Sequence, residues 1–176
     1  MISTVLVEHP WLSPSALAIL VVLGPLVGSR LAGSPRVAWW LTAAALLPVA
    51  VLTLTPVDRE LYGRCEVAWS LPTVGRVELA ANVVLLVAPT LLAGVASRRP
   101  LVALAAGSGL SLVLEAVQAL VPAIGRSCST NDWLSNTIGA AIGATLAWAA
   151  LRLAAGSPTA PPSSRTAPTR PRTTSR

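Results

Sequence analysis

Five apolar runs limit what this chain can fold into, because each approaches or exceeds the roughly 18 residues that cross a hydrocarbon core. The runs cover approximately Pro14–Leu31, Val37–Thr55, Val77–Ser97, Leu101–Ile124 and Asp132–Ala154. Only 11% of the residues are charged, whereas a soluble domain carries roughly 25%. We therefore predict an all-α integral membrane bundle of about five transmembrane helices.

The basic residues predict the orientation of this bundle. All 13 of them are arginines, and they are dispersed between the apolar runs, which argues against nucleic acid as a partner. An outer N-terminus places nine arginines in the cytoplasm and four outside, in agreement with the positive-inside rule. The nine are Arg30, Arg36, Arg98, Arg99, Arg152, Arg165, Arg170, Arg172 and Arg176. We expect a multi-pass protein of the inner or plasma membrane with a cytoplasmic C-terminus.

The two ends of the chain differ from the apolar centre. Residues 1–13 form a predicted outer segment that contains Glu8 but no Lys or Arg, so the positive region of a signal peptide is missing and we expect the first run to remain as a helix. Residues 155–176 are rich in Pro, Ser, Thr and Arg and are predicted to be a disordered cytoplasmic tail. Residues 14–154 form the transmembrane domain between them.

Polar side chains inside three of the runs predict a functional site, because such residues are costly in lipid and mark function. The residues that share helix faces are Glu78 and Asn82 in the third run, Gly107, Ser111, Glu115 and Gln118 in the fourth, and Asp132, Asn136, Gly139 and Gly143 in the fifth. Helical spacing places each set on one stripe. On the predicted topology the acidic and amide residues of these sets lie in the outer half of the bilayer, where we expect three helices to turn them toward each other: Glu78, Asn82, Glu115, Gln118, Asp132 and Asn136.

Structural alternatives exist for several of these residues. Asp132 follows Ser129 by three residues and resembles part of a helix capping box. Asn82 and Asn136 can form hydrogen bonds between helices, which contribute roughly 0.6 kcal/mol on average.

A structural role readily explains the glycines of the fifth run, but it does not readily explain Glu115. Gly139 and Gly143 form a Gly-x-x-x-Gly that favours close helix approach. Glu115 is harder to explain, because a carboxylate within a span needs a partner, a proton or a ligand. Its candidate structural partners are Arg126 and Gln118.

The two cysteines, Cys65 and Cys128, both fall in predicted outer loops. Two thiols on the oxidising side of a small domain predict a disulfide. Glu66 and Asp132 lie near these cysteines in the sequence, but no histidine accompanies them, so we expect no metal site.

The motifs of several membrane enzymes are missing. The chain contains neither H-E-x-x-H nor G-x-S-x-G, and its one histidine, His9, belongs to the N-terminal segment. Acid–base chemistry would have to use Glu78, Glu115 or Asp132. The sequence therefore assigns no catalytic residue and no cofactor, and it favours a binding protein over an enzyme.

Four segments together resemble the VanZ-like membrane proteins: LTLTP, ELAANVVLLVAP, LEAVQALVP and GRSCSTNDWLSNTIGAAIGA. This family takes its name from a protein that gives low-level resistance to the lipoglycopeptide teicoplanin. The resemblance covers roughly residues 53–151 and rests on the combination of N-x-x-L-L-x-x-P, E-x-x-Q and D-x-x-x-N-x-x-G. It maps the family's polar residues onto Asn82, Glu115, Gln118, Arg126, Asp132, Asn136 and Gly139.

Two positions depart from the family pattern. Thr90 follows Pro89 where the family often has glycine, and the segment STND lacks the acidic residue that often precedes the aspartate.

The polar stripes and the resemblance together lead to one expected function. The predicted pocket consists of Glu78, Asn82, Glu115, Gln118, Arg126, Asp132 and Asn136. We expect it to bind a membrane lipid, a lipid-linked envelope ligand or a lipophilic glycopeptide, with a role in glycopeptide resistance or envelope maintenance. The alternatives are a small carrier and an intramembrane enzyme on a lipid-linked substrate, with Glu115 as acid or base and Arg126 holding an anion. The oligomeric state is not defined by the sequence.

Overall fold

Each of the five apolar runs forms one long α-helix in the computed structural model, which describes residues 8–57, 65–71 and 77–156. The helices are α1 (Leu12–Leu31), α2 (Pro35–Leu54), α3 (Val77–Ser97), α4 (Pro100–Leu120) and α5 (Thr130–Gly156). Two short strands, β1 (Cys65–Glu66) and β2 (Cys128–Ser129), and a 3₁₀ turn at Pro122–Ile124 complete the described part. All five helices are long and apolar enough to cross a membrane, which confirms the predicted multi-pass helical bundle.

The helix ends follow local backbone chemistry. α3 has the predicted bounds, but α4 ends at Leu120 and not near Ile124 as predicted. Pro122 disfavours helical backbone at the residue before it, and Val121 adopts φ −115° and ψ 81°. α2 begins at Pro35, a position where the missing proline N–H breaks no intrahelical hydrogen bond.

The helical part of the chain extends two residues beyond each end of the predicted transmembrane domain, which covered residues 14–154. α1 begins at Leu12 and α5 runs through Gly156, so residues 155 and 156 are helical and not part of a tail. Residues 1–7 and 157–176 lie outside the described residues, as do Arg59, Arg64 and Arg76 of the predicted outer loops.

α3 and α5 form the centre of the bundle. α5 packs along α3 and also contacts α1 and α4, whereas α2 packs mainly against α3 and touches α4 at few points. The central core includes Val87, Leu91 and Val95 of α3 with Ala147 and Ala150 of α5, and none of these is more than 4% exposed. α1 and α2 are therefore peripheral helices, and most of their surface faces away from the protein.

Two glycines of α5 permit the close approach of α3. A Cβ atom at Gly139 would lie 2.0 Å from the carbonyl oxygen of Val83, and one at Gly143 would lie 2.4 Å from that of Val87. These distances leave no room for any side chain. The two backbones are therefore in direct contact, in the manner of small-residue helix pairs in membranes.

Bulky apolar side chains cover the outside of the bundle. Trp40 and Leu101 are each 78% exposed, and Val22 is 65% exposed. An apolar surface of this extent marks a site of membrane contact, and the hydrocarbon core of a bilayer is the solvent that suits it.

A disulfide and a strand pair join two loops at one end of the bundle. Cys65 and Cys128 are bonded with their Cα atoms 4.5 Å apart, which confirms the predicted disulfide. The two cysteines are also opposite each other in the parallel pair of β1 and β2. We term this end, where α2 and α4 finish and α3 and α5 begin, the disulfide end, and the other the opposite end.

Candidate functional site

The polar stripe of α4 faces the inside of the bundle. Glu115 and Gln118 are 8% and 7% exposed, whereas the neighbouring Leu112 and Val113 are 59% and 58% exposed. Ser111 is fully buried one turn further toward the opposite end. Helical spacing thus directs the polar side chains to protein and the apolar ones to lipid.

Glu115 is bound by the start of α5. Its Oε2 accepts a hydrogen bond of 2.6 Å from the backbone N–H of Ser129, and Asp132 is its charged neighbour. Ser129 directly precedes α5, and its Oγ accepts a 3.2 Å hydrogen bond from the Asn131 N–H, so Ser129 is the N-cap. A capping box would direct the Ser129 N–H to Asp132. Glu115 of another helix takes this donor, so the reciprocal bond of the box is not formed, although Asp132 lies in the first turn of α5 as predicted.

Asp132 is bound instead by α3. The Asn82 Nδ2 donates a 2.7 Å hydrogen bond to its Oδ1, and Glu66, Glu78 and Arg126 are the charged groups around this carboxylate. Asn82 and Asp132 are half-buried, whereas Glu66 and Glu78 are exposed at the rim. Three helices therefore bring their acidic and amide side chains together at the disulfide end.

A second polar layer lies one helical turn further toward the opposite end. The Asn136 Nδ2 donates to the Ser111 Oγ at 3.0 Å and joins α5 to α4. Asn136 Oδ1 and Ser135 Oγ are buried without hydrogen-bond partners, and these residues are 4% and 0% exposed. An unpaired buried polar group costs roughly 1–3 kcal/mol. Both atoms therefore lack the hydrogen-bond partner that buried polar groups normally have.

Arg126 follows a tight turn that sets its position beside Asp132. The Val57 N–H donates a 3.0 Å hydrogen bond to the Ile124 carbonyl. Gly125 comes next with φ 66°, and a Cβ atom there would lie 1.8 Å from the Val57 carbonyl oxygen. The Arg126 Nε is buried and has no hydrogen-bond partner, and no carboxylate of the described residues forms an ion pair with it. Its guanidinium is available to an anion.

The structure brings six residues of the predicted pocket into one region. We term them, together with two serines, the polar cluster: Glu78, Asn82, Ser111, Glu115, Arg126, Asp132, Ser135 and Asn136. Gln118 does not join it. The Gln118 Nε2 donates to the Thr53 carbonyl at 3.0 Å and ties the end of α2 to the end of α4.

Loop residues that the sequence analysis did not single out hold the start of α5 in place. Thr130 Oγ1 donates to the Ala68 carbonyl at 2.6 Å and accepts from the Ala68 N–H at 2.9 Å. The Ser70 N–H donates to Asn131 Oδ1 at 2.8 Å. The polar run STND was the available signal, but it gives no indication of partners some sixty residues away.

Ser135 was also missed, although a signal existed. Asn131, Ser135, Gly139 and Gly143 form their own series of residues four apart, and all four are buried. The predicted stripe that begins at Asp132 contains the same two glycines, Gly139 and Gly143. Residue spacing alone therefore does not show which of the two series faces the interior.

A separate cavity of about 230 Å³ lies between α2, α3 and α4 and extends toward the opposite end. Apolar side chains such as Leu46, Leu86 and Leu110 line most of it. It contains no residue of the polar cluster. Among the described residues, no group of three or more His, Cys, Asp or Glu is arranged to hold a metal ion.

Comparison with known proteins identifies the family. The family model VanZ/LLP1 matches residues 37–152, a range that begins in α2, ends in α5 and includes the disulfide and the whole polar cluster. No curated protein and no solved structure matches the chain. Because the family match covers most of the chain, the protein belongs to the VanZ/LLP1 family.

Proposed function

We propose that this membrane protein binds an envelope lipid or a lipophilic glycopeptide of the teicoplanin type at the polar cluster. The observation that carries the proposal is three buried polar atoms without a hydrogen-bond partner, namely Arg126 Nε, Ser135 Oγ and Asn136 Oδ1. Unmet polar groups are expensive in a membrane protein. Arg126 acts on Asp132, and Ser135 and Asn136 lie within about one turn of Asp132 on α5, so the three atoms favour a polar ligand over a purely structural role.

The two carboxylates of this region also have oxygens that can accept hydrogen bonds from a ligand. Glu115 uses only Oε2 for the Ser129 N–H, and Asp132 uses only Oδ1 for Asn82. Each carboxylate thus keeps one oxygen for a ligand, and Arg126 supplies an opposite charge. Such a mixture of donors and acceptors suits a headgroup or a glycopeptide, both of which carry several polar groups on an apolar anchor.

We place the disulfide end on the outer side of the inner or plasma membrane. Of the described arginines, Arg30, Arg36, Arg98, Arg99 and Arg152 lie at the opposite end and Arg126 at the disulfide end. This distribution supports an outer N-terminus and a cytoplasmic C-terminus. The disulfide supports the same orientation, because such bonds persist in oxidising compartments. The polar cluster then faces the side where glycopeptides and envelope precursors are found.

Binding fits the described residues better than transport. A carrier needs a polar ligand to pass through both halves of the bundle, but the cavity in the opposite half has mostly apolar walls.

An intramembrane enzyme would use Glu115 as acid or base. In that case Glu115→Gln abolishes turnover and leaves ligand affinity unchanged, whereas in a binding protein the same change lowers affinity.

Bound ligands provide the direct test. The protein is extracted with its native lipids in polymer-bounded discs, and the lipids retained are measured by mass spectrometry, while teicoplanin binding is titrated by calorimetry. Arg126→Gln should weaken the preferred ligand by about tenfold or more, as expected when a hydrogen bond to a charged group worth roughly 1.5–3 kcal/mol is lost. Arg36→Gln, an exposed arginine at the opposite end, is the matched control. Lipids in bulk proportions together with no saturable teicoplanin binding would overturn the proposal.

The role in resistance is tested in cells. Expression in a teicoplanin-susceptible bacterium should raise the inhibitory concentration, and Arg126→Gln should remove this gain while Arg36→Gln keeps it. Equal protection by both variants would separate resistance from the polar cluster.

A further inference from the structure

Three hydrogen-bond acceptors in the polar cluster have no donor within the described part of the chain. Glu115 binds the Ser129 N–H through Oε2 alone, and Asp132 binds Asn82 through Oδ1 alone, so Oε1 and Oδ2 remain open. The third acceptor is Asn136 Oδ1, which is buried and unpaired in a residue that is 4% exposed. Asn136 follows Asp132 by one turn on the same face of α5.

Three open acceptors of this kind match a primary ammonium group, which carries one positive charge and three N–H donors. The charge balance agrees among the described residues, where the charged groups around Asp132 are Glu66, Glu78 and the cation Arg126, and Glu115 is a further carboxylate neighbour. A cation is one of the partners that stabilise a carboxylate removed from water, and the ammonium supplies one. A quaternary ammonium lacks N–H donors and would leave all three acceptors unpaired.

Arg126 provides a binding group for an anion next to these acceptors. Its buried Nε has no partner, and a guanidinium presents paired N–H donors that fit a phosphate in bidentate geometry. Arg126 acts electrostatically on Asp132, so the site for an anion lies next to the site for a cation. A single ligand that satisfies both carries a positive and a negative group, as a zwitterion does.

We infer that the polar cluster recognises a lipid headgroup in which a primary ammonium lies close to a phosphate, as in a phosphoethanolamine lipid. Glu115, Asp132 and Asn136 accept from the ammonium, and Arg126 binds the phosphate. This inference rests on the proposed function and names its ligand class.

A lipid competition tests it. Nanodiscs hold the full-length protein with equal amounts of phosphatidylethanolamine, phosphatidylcholine and phosphatidylglycerol that share the same acyl chains, and native mass spectrometry counts the lipids retained after mild detergent. We expect phosphatidylethanolamine to exceed each of the other two by about tenfold. Asp132→Asn and Glu115→Gln should abolish its advantage over phosphatidylcholine. Arg126→Gln should reduce retention of all three lipids, because each carries a phosphate, and Arg36→Gln should change none of them.

The outcomes separate the inference from the proposed function. Phosphatidylglycerol retained at least as well as phosphatidylethanolamine, with a loss in Arg126→Gln, overturns ammonium recognition but leaves a lipid-binding site. Equal retention of phosphatidylcholine and phosphatidylethanolamine overturns the inference in the same way. Weak retention of all three that no variant changes overturns lipid binding itself. Each variant is first shown to unfold at the wild-type temperature, so that a loss of retention reports the site.

Discussion

The backbone N–H of Ser129 donates a 2.6 Å hydrogen bond to Oε2 of Glu115, and Ser129 directly follows Cys128 of the disulfide. The disulfide therefore holds in place the donor that binds a buried carboxylate of another helix. Thr130 and Asn131 extend the same attachment through their bonds to Ala68 and Ser70. The covalent bridge and the polar cluster are parts of one structural unit.

Removal of the disulfide should destabilise the disulfide end. The bridge joins residues 63 apart in the sequence, and chain entropy gives an upper value of about 4 kcal/mol for a loop of this size. We expect the double variant Cys65→Ser, Cys128→Ser to unfold at a lower temperature in detergent. Reductant should produce the same loss in the wild-type protein and no further loss in the double variant. Equal unfolding temperatures with and without the bridge would contradict this role.

The glycines of α5 should tolerate no side chain. Gly139→Ala and Gly143→Ala each place a Cβ atom within 2.4 Å of an α3 carbonyl oxygen, so α3 and α5 must separate. We expect each change to lower the free energy of unfolding by about 1–3 kcal/mol or more, as in overpacked cores.

Gly109→Ala is the matched control for this experiment. Gly109 lies on the exposed face of α4, and a Cβ atom there meets nothing within 4 Å. Helix propensity predicts a gain of about 0.5–1 kcal/mol. A similar loss in all three variants would show that close packing is not the cause.

Much of the fold was predictable because a helix that crosses lipid must be long and apolar, and its polar residues must face protein. Each apolar run became a helix, and the stripe of Ser111, Glu115 and Gln118 predicted the inward face of α4. The end of α4 was missed because apolar content continues past Pro122, although the backbone effect of that proline on Val121 stops the helix.

The hydrogen-bond partners were not predictable from spacing. The donor of Glu115 is a main-chain N–H, and every residue except proline carries one, so no side-chain pattern identifies it. Gln118 lies on the predicted stripe, yet it binds the Thr53 carbonyl of α2. The rotation of α4 and the position where α2 ends decide this contact, and neither is encoded locally.

Asn82 and Asp132 should be energetically coupled. Their 2.7 Å hydrogen bond joins α3 to α5, and polar pairs between membrane helices contribute on average about 0.6 kcal/mol with a maximum near 1.7. We expect a coupling energy of about 1 kcal/mol, toward the upper part of this range because the acceptor is a carboxylate. A double-mutant cycle of Asn82→Ala and Asp132→Ala, read by unfolding in mixed micelles, measures it. Additive losses would mean that the two side chains stabilise the bundle independently.

The orientation in the membrane remains a prediction that labelling can decide. Cysteine residues introduced in a background without Cys65 and Cys128 should react with an impermeant maleimide in intact cells at Val67, in the loop that follows β1. The same reagent should reach Arg99→Cys only after the membrane is permeabilised. Labelling of both positions from the same side would contradict the five-helix topology, and the reverse pattern would invert it.

Replacement of Glu115 should separate its structural role from its role in binding. In Glu115→Gln the amide oxygen can still accept from the Ser129 N–H, so we expect wild-type unfolding and weaker ligand binding. In Glu115→Leu the Ser129 N–H loses its acceptor, and an unpaired buried donor costs roughly 1–3 kcal/mol. The leucine variant should therefore lose both stability and binding, measured by thermal unfolding and by lipid retention on the same samples. If the glutamine variant is as unstable as the leucine variant, the negative charge itself stabilises the fold, and the balance between Glu115 and its charged neighbours is a structural requirement.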